Sequence, residues 1–124
     1  EINSNDIDIA LSQRIAFINK VDKLFKDLDF LVMPSTQIFP FNKELDYPKE
    51  INGNNLDTYH RWMEVVILVS LLGLPSISVP IGFNNEGLPM GMQIIGKRGD
   101  DLKVVAFAKR YEEIFTFSSQ GYKL

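Results

Sequence analysis

The chain has 124 residues, enough for a single domain built around one core. A hydrophobic fraction of 45%, a charged fraction of 23% and a formal net charge of -3 exclude a disordered or fibrous chain. They also exclude a nucleic-acid surface spread over the whole domain, which needs clustered Lys and Arg.

The absence of cysteine rules out a disulfide framework and a thiolate metal site, and it fits a cytoplasmic location. The first residues, EINSNDIDIA, are polar and acidic and do not read as a signal peptide. Leu11, Ile15, Ile18, Val21, Phe25 and Leu28 then recur at steps of three and four, which predicts a helix near residues 6–27 with Asp6 and Asp8 at its N-terminal end. Lys20, Lys23 and Lys26 interleave with Asp22 and Asp27 on that helix and read as a solvated face.

Asp29 to Pro34 is a short apolar run stopped by proline, the pattern of a fully buried strand. Residues 34–57 carry no period, hold three prolines and several Asn and Asp, and read as a long loop. Its aromatics Phe39, Phe41 and Tyr47 imply that it packs on something. A second helix is expected from Tyr59 to Leu72, capped by Asp57 or Thr58 and ended by Gly73 and Pro75. Its second half, Val65 to Leu72, is apolar on nearly every side, the mark of a helix buried all round. That run falls far short of the about 20 residues a membrane span needs, so no membrane partner is implied.

Residues 76–81 and 90–96 read as two strands joined through a turn at Asn84-Asn85-Glu86-Gly87. Asp100 is expected to cap a third helix whose stripe is Val104, Phe107, Ala108, Tyr111 and Phe115, followed by a polar tail from Thr116. The order helix, strand, helix, strand, strand, helix predicts an α/β fold, a mixed β-sheet flanked by helices. Three short strands offer little sheet to cover so much apolar helix surface. These elements therefore expect more protein around them, or self-association through exposed apolar surface.

Several blocks in order resemble the amidase-signature hydrolases. Asp29-Phe30-Leu31-Val32-Met33-Pro34 looks like the strand those enzymes carry before a pocket loop, and Tyr59-His60-Arg61-Trp62-Met63 resembles a helix start found in a subset of them. Gly73-Leu74-Pro75-Ser76-Ile77-Ser78-Val79-Pro80-Ile81-Gly82-Phe83 is the most specific block, and Gly87 to Gly96 follows at the family's spacing. Asp100-Asp101-Leu102 then opens the last helix, so the resemblance covers roughly residues 10–116. It implies that residues 1–124 are the C-terminal portion of an amidase-signature domain, the parent acting on a small-molecule carboxylic amide without a cofactor.

The resemblance also implies a serine nucleophile, a second serine in a cis peptide and a lysine, with backbone N–H groups holding the oxyanion. In the family these precede the region seen here. The only adjacent serine pair, Ser118-Ser119, is flanked by Phe117 and Gln120 rather than by glycines, and no lysine stands in the family's catalytic context. No catalytic residue is therefore assigned to this chain. His60, the only histidine, carries no serine or carboxylate pattern that implies a dyad. No spacing suggests a metal site, and no phosphate loop is present.

What the resemblance leaves to this segment is the substrate pocket, walled in the family by the long loop and the helix after it. Gln37 is expected to hydrogen-bond a substrate amide or carboxylate, with Phe39, Tyr59 and Trp62 forming an apolar wall. Two other readings stand beside this one. One is an inactive chain with a binding or structural role. The other is part of the glutamyl-tRNA amidotransferase subunit that belongs to the same family and acts on glutamine and a charged tRNA. The apolar surplus yields a direct expectation. The soluble chain binds the dye ANS strongly, and low ANS fluorescence from a monomeric preparation would remove the case for uncovered apolar faces.

Overall fold

The computed structural model describes residues 2–119; Gln120 and the rest of the tail lie outside the described residues, as do the side chains of Ser118 and Ser119. Helix α1 spans Ser4–Leu24 and starts two residues earlier than the apolar stripe suggests. Asn3 sets the start. Its Oδ1 accepts from the Asp6 N–H at 3.1 Å, while the Asp6 carboxylate accepts from the Asn3 N–H at 3.0 Å, a reciprocal capping box. Strand β1 follows at Phe30–Pro34.

Inside the segment read as a long loop, strands β2 (Glu50–Ile51) and β3 (Asn54–Asn55) form a small antiparallel hairpin. Asn52 and Gly53 turn it with φ values of 49° and 78°, the positive pair that a tight two-residue hairpin turn requires. The predicted single helix over 59–72 is instead two pieces. A 3₁₀ turn covers Tyr59–Met63, and α-helix α2 covers Glu64–Leu72. Thr58 holds the cap position without a side-chain bond, and Asp57 pairs with Arg61 at 3.2 Å instead of capping. Three residues per turn bring Tyr59 and Trp62 onto one side, with ring centroids 6.1 Å apart.

Strands β4 (Ser76–Phe83) and β5 (Pro89–Gly96) form the expected hairpin, and helix α3 spans Asp101–Ile114. Asn84 organises the hairpin turn, its Oδ1 accepting from the N–H groups of Glu86 and Leu88 at 3.0 and 2.8 Å. Asp100 stands at the N-cap of α3, but its side chain accepts no hydrogen bond from the helix; its carboxylate lies 3.9 Å from Lys103. A further 3₁₀ turn, Thr116–Ser119, begins the tail read as polar.

The main sheet is antiparallel in the order β1-β5-β4, with β5 in the middle. Its two faces are covered differently because successive side chains of β5 point to opposite sides. Ile95 faces α1 and α2, packing with Val21, Phe25, Val69 and Leu72. Ile94 faces α3, packing with Val79 and Ala108. Helix α3 lies close because Gly96 has no side chain where Val104 packs.

The apolar run of β1 predicts full burial, but β1 is an edge strand, and Val32 is 54% exposed. Nor is α2 buried all round, since Leu68 and Leu71 are exposed at 44% and 49%. Of the α1 stripe, Ile18, Val21 and Phe25 pack, while Leu11 and Ile15 stay exposed. The physical reason is the one the patterning raises: three strands and three helices do not supply enough partners for these faces.

Tyr111 ties α3 to β4, its hydroxyl donating to the Pro80 carbonyl at 3.1 Å. Burial pushes its phenol above the usual tyrosine range. A raised folded-state value leaves stability intact below the unfolded value near 10.0 and withdraws it as pH rises through the folded value. Tyr111→Phe is therefore expected to cost about 1 kcal/mol at pH 7 through the lost hydrogen bond. It should also flatten the decline above pH 10 in urea titrations, and an unchanged alkaline limb would refute the assignment.

Candidate binding site

A cavity of about 630 Å³ opens at the hairpin end of the sheet. That volume lies within the range of small-molecule sites. Strand β4 contributes Ser78, Val79 and Pro80, and β5 contributes Pro89, Met90 and Gly91. The segment after β1 supplies Ser35, Thr36 and residues 38–41, Trp62 closes the far wall from the 3₁₀ turn, and Phe83 and Phe117 complete the rim.

Glycine at 91 is a matter of space. A Cβ there would sit 2.6 Å from the Ser35 Oγ, 3.1 Å from the Ser78 Oγ and 3.3 Å from the Val79 carbonyl oxygen. Both hydroxyls therefore lie beside Gly91 on the cavity floor, in the space that a side chain would take. The Ser35 N–H donates to the Gly91 carbonyl at 3.0 Å, extending the β1-β5 pairing by one bond. The Thr36 hydroxyl donates to the Ile38 carbonyl at 3.2 Å and holds the loop in a tight turn.

Of the residues expected to bind substrate, Phe39 and Trp62 line the cavity. Trp62 meets Phe41 edge to face, with centroids 5.5 Å apart, and its indole N–H is buried without a hydrogen-bond partner. Tyr59 stands outside the cavity wall, its ring edge-on to Tyr47 and Trp62. Gln37 is outside it as well. Its Oε1 accepts from the Val65 N–H at 3.4 Å, a long contact at the first turn of α2. His60 packs edge-on against Tyr59.

Sequence reasoning does not single out Ser35, Thr36, Ser78 or Gln93. Gln93 is 6% exposed, and its Nε2 donates to the Pro34 carbonyl at 2.8 Å and to the Val65 carbonyl at 3.4 Å. It thereby ties the root of the loop that carries Phe39 to the first turn of α2, which directly follows the 3₁₀ turn carrying Trp62. The available signal is a polar Gln inside an apolar strand.

Among the described residues, no charged residue and no histidine lines the cavity. A serine hydroxyl without an adjacent base is a weak nucleophile. The arrangement can therefore hold a ligand through apolar contact and two hydroxyls, but it does not itself activate Ser35 or Ser78. Among the described residues no group of His, Cys, Asp or Glu is placed to hold a metal ion, and no helix is long and apolar enough to cross a membrane.

Comparison with known proteins agrees with this architecture. The family model described as Amidase matches residues 3–105. A glutamyl-tRNA(Gln) amidotransferase subunit of Natranaerobius thermophilus is 36% identical over 107 residues, covering 85% of this chain and 20% of that protein. A fatty acid amide hydrolase of Arabidopsis thaliana is 38% identical over 92 residues, covering 73% of this chain and 15% of that one. Among solved structures, a bacterial aryl acylamidase of the amidase-signature enzymes superposes with a TM-score of 0.84 at 31% identity, covering 96% of this chain and 25% of the other. The chain thus spans about a fifth of the length of the curated relatives it matches.

The Gln93 tie gives a test. Gln93→Leu keeps the volume but removes both donations, and it is expected to cost about 1–3 kcal/mol in urea unfolding. Freed from the tie, Trp62 should shift its emission to longer wavelength in the folded protein. Unchanged stability together with unchanged emission would show that Gln93 does not hold the wall.

Proposed function

The chain belongs to the amidase family, and from that premise we propose that residues 1–124 are the C-terminal portion of a longer, cytoplasmic amidase domain that hydrolyses carboxylic amides. In this reading the segment supplies core and the wall of the substrate pocket. The serine nucleophile, the bridging serine and the lysine come from outside it. The nucleophile's hydroxyl adds to the amide carbonyl, its proton passes through the bridging serine and lysine to the departing amine, and water then releases the acid from the acyl-enzyme. No cofactor takes part.

The observation that supports this division of labour is the cavity itself. It offers aromatic walls and two hydroxyls, Ser35 and Ser78, with no base beside them. Phe39 and Trp62 are the pocket-wall residues on this reading. Gln37 and Tyr59 serve it from behind, one at the first turn of α2 and the other against the Trp62 ring.

Two observations support other readings. The 36% identity to an amidotransferase subunit favours a role in which glutamine is the amide. The exposed Leu68 and Leu71 on α2 favour a protein partner, or a second copy, seated against that face.

The deciding measurement is the intact mass of the polypeptide in its own cells, followed by a fluorophosphonate serine probe. The expected result is a labelled product several times heavier than 14.2 kDa, with the isolated 124-residue chain unlabelled and inactive. A native product near 14.2 kDa would retire catalysis in favour of the binding role.

A further inference from the structure

We propose that the cavity takes an uncharged aryl group, with one polar atom of the same ligand held by the hydroxyls of Ser35 and Ser78. This deepens the amidase reading above and rests on it for the presence of an amide. It concerns which amide this wall accepts.

Charge selects first. Among the described residues no Asp, Glu, Lys, Arg or His lines the cavity. A carboxylate or an amino-acid zwitterion entering it would shed its hydration and meet no counter-charge, which strongly disfavours such a ligand. A free amino acid such as glutamine is therefore a poor occupant of this wall.

Shape selects next. The cavity is bounded by five aromatic rings, those of Phe39, Phe41, Trp62, Phe83 and Phe117. Aromatic walls give a flat aromatic ligand edge-to-face and offset contacts beyond those of simple area burial, a gain that an alkyl chain does not share.

Polarity then fixes the orientation. Ser35 Oγ and Ser78 Oγ both stand against the bare backbone of Gly91, and among the described residues lining the cavity they are the hydroxyls left over, since that of Thr36 donates to Ile38. Two hydroxyls can donate to a carbonyl oxygen or accept from an amide N–H, so a neutral amide satisfies them in either orientation.

Trp62 is the only tryptophan and stands in the cavity wall, so its emission reports occupancy directly. The 124-residue chain is titrated with acetanilide, with 4-acetamidobenzoate, which is the same molecule carrying a carboxylate, and with L-glutamine. Acetanilide is expected to change the emission saturably, the carboxylate at least about tenfold more weakly, and glutamine not at all. The double variant Ser35→Ala, Ser78→Ala should weaken acetanilide by about tenfold while retaining the far-ultraviolet circular dichroism of the parent.

Equal binding of the charged analogue, or of glutamine, would overturn the proposal. So would unchanged acetanilide binding by the double variant, or the lack of any saturable response confirmed by equilibrium dialysis. None of these readings involves hydrolysis, so a failure here leaves the amidase assignment to its own test, and the reverse also holds.

Discussion

Helix α2 is nine residues long, too short to persist alone in water, where helices under about 12–15 residues are marginal. Its existence depends on side chains from elsewhere closing its two ends. At the first turn, Gln37 accepts from the Val65 N–H and Gln93 donates to the Val65 carbonyl. At the last turn, Arg14 donates to the Leu71 carbonyl at 2.7 Å, and Arg98 donates to those of Leu72 and Gly73 at 2.8 and 3.3 Å. Two guanidinium groups at a helix C-terminus satisfy its orphan carbonyls and oppose its dipole at once. These four residues come from α1, from the segment after β1, from β5 and from the turn before α3. Fixing α2 therefore fixes how those elements meet.

The cavity is a by-product of that fixing. Trp62 sits immediately before α2, and the loop carrying Phe39 and Phe41 leaves β1 at the carbonyl that Gln93 holds. The hairpin supplies the floor, where the bare backbone at Gly91 leaves room for two hydroxyls. Each wall is thus anchored to the sheet by a backbone or side-chain bond, which suits a pocket that receives a ligand without rearranging.

Much of the fold is legible in the sequence because its periods are strong. The strands read at 76–81 and 90–96 occupy Ser76–Phe83 and Pro89–Gly96, and α1 and α3 fall where their apolar stripes lie. What stays hidden is local turn chemistry without an apolar pattern. The Asn52-Gly53 hairpin is flanked by Glu50, Asn54 and Asn55, so no alternation advertises it. The 3₁₀ turn at Tyr59–Met63 shares its residues with an ordinary α-helix start, and only the packing of Tyr59 on Tyr47 and Trp62 distinguishes them. The site is less legible than the fold. Aromatic residues announce themselves, and Phe39 and Trp62 do lie on the wall. Ser35 and Ser78 carry no motif, and they meet only because strands far apart in sequence pair through β5.

Among the described residues the two hydrophobic clusters share none and lie on opposite faces of the sheet, with β5 contributing Ile95 to one and Ile94 to the other. They also differ in how far along the chain their members lie. The buried members of the cluster under α3 come from β4, β5 and α3, consecutive segments joined by short turns, with Phe30 of β1 packed against them. The cluster under α1 and α2 brings residues from the first quarter of the chain to Ile95. Closing that longer loop costs more entropy, and its contacts are the less local ones. The hairpin with α3 is the more local unit and α1 the more distant one, and β1 serves both, Phe30 packing on the side of α3 while Leu31 and Met33 pack on the side of α1 and α2.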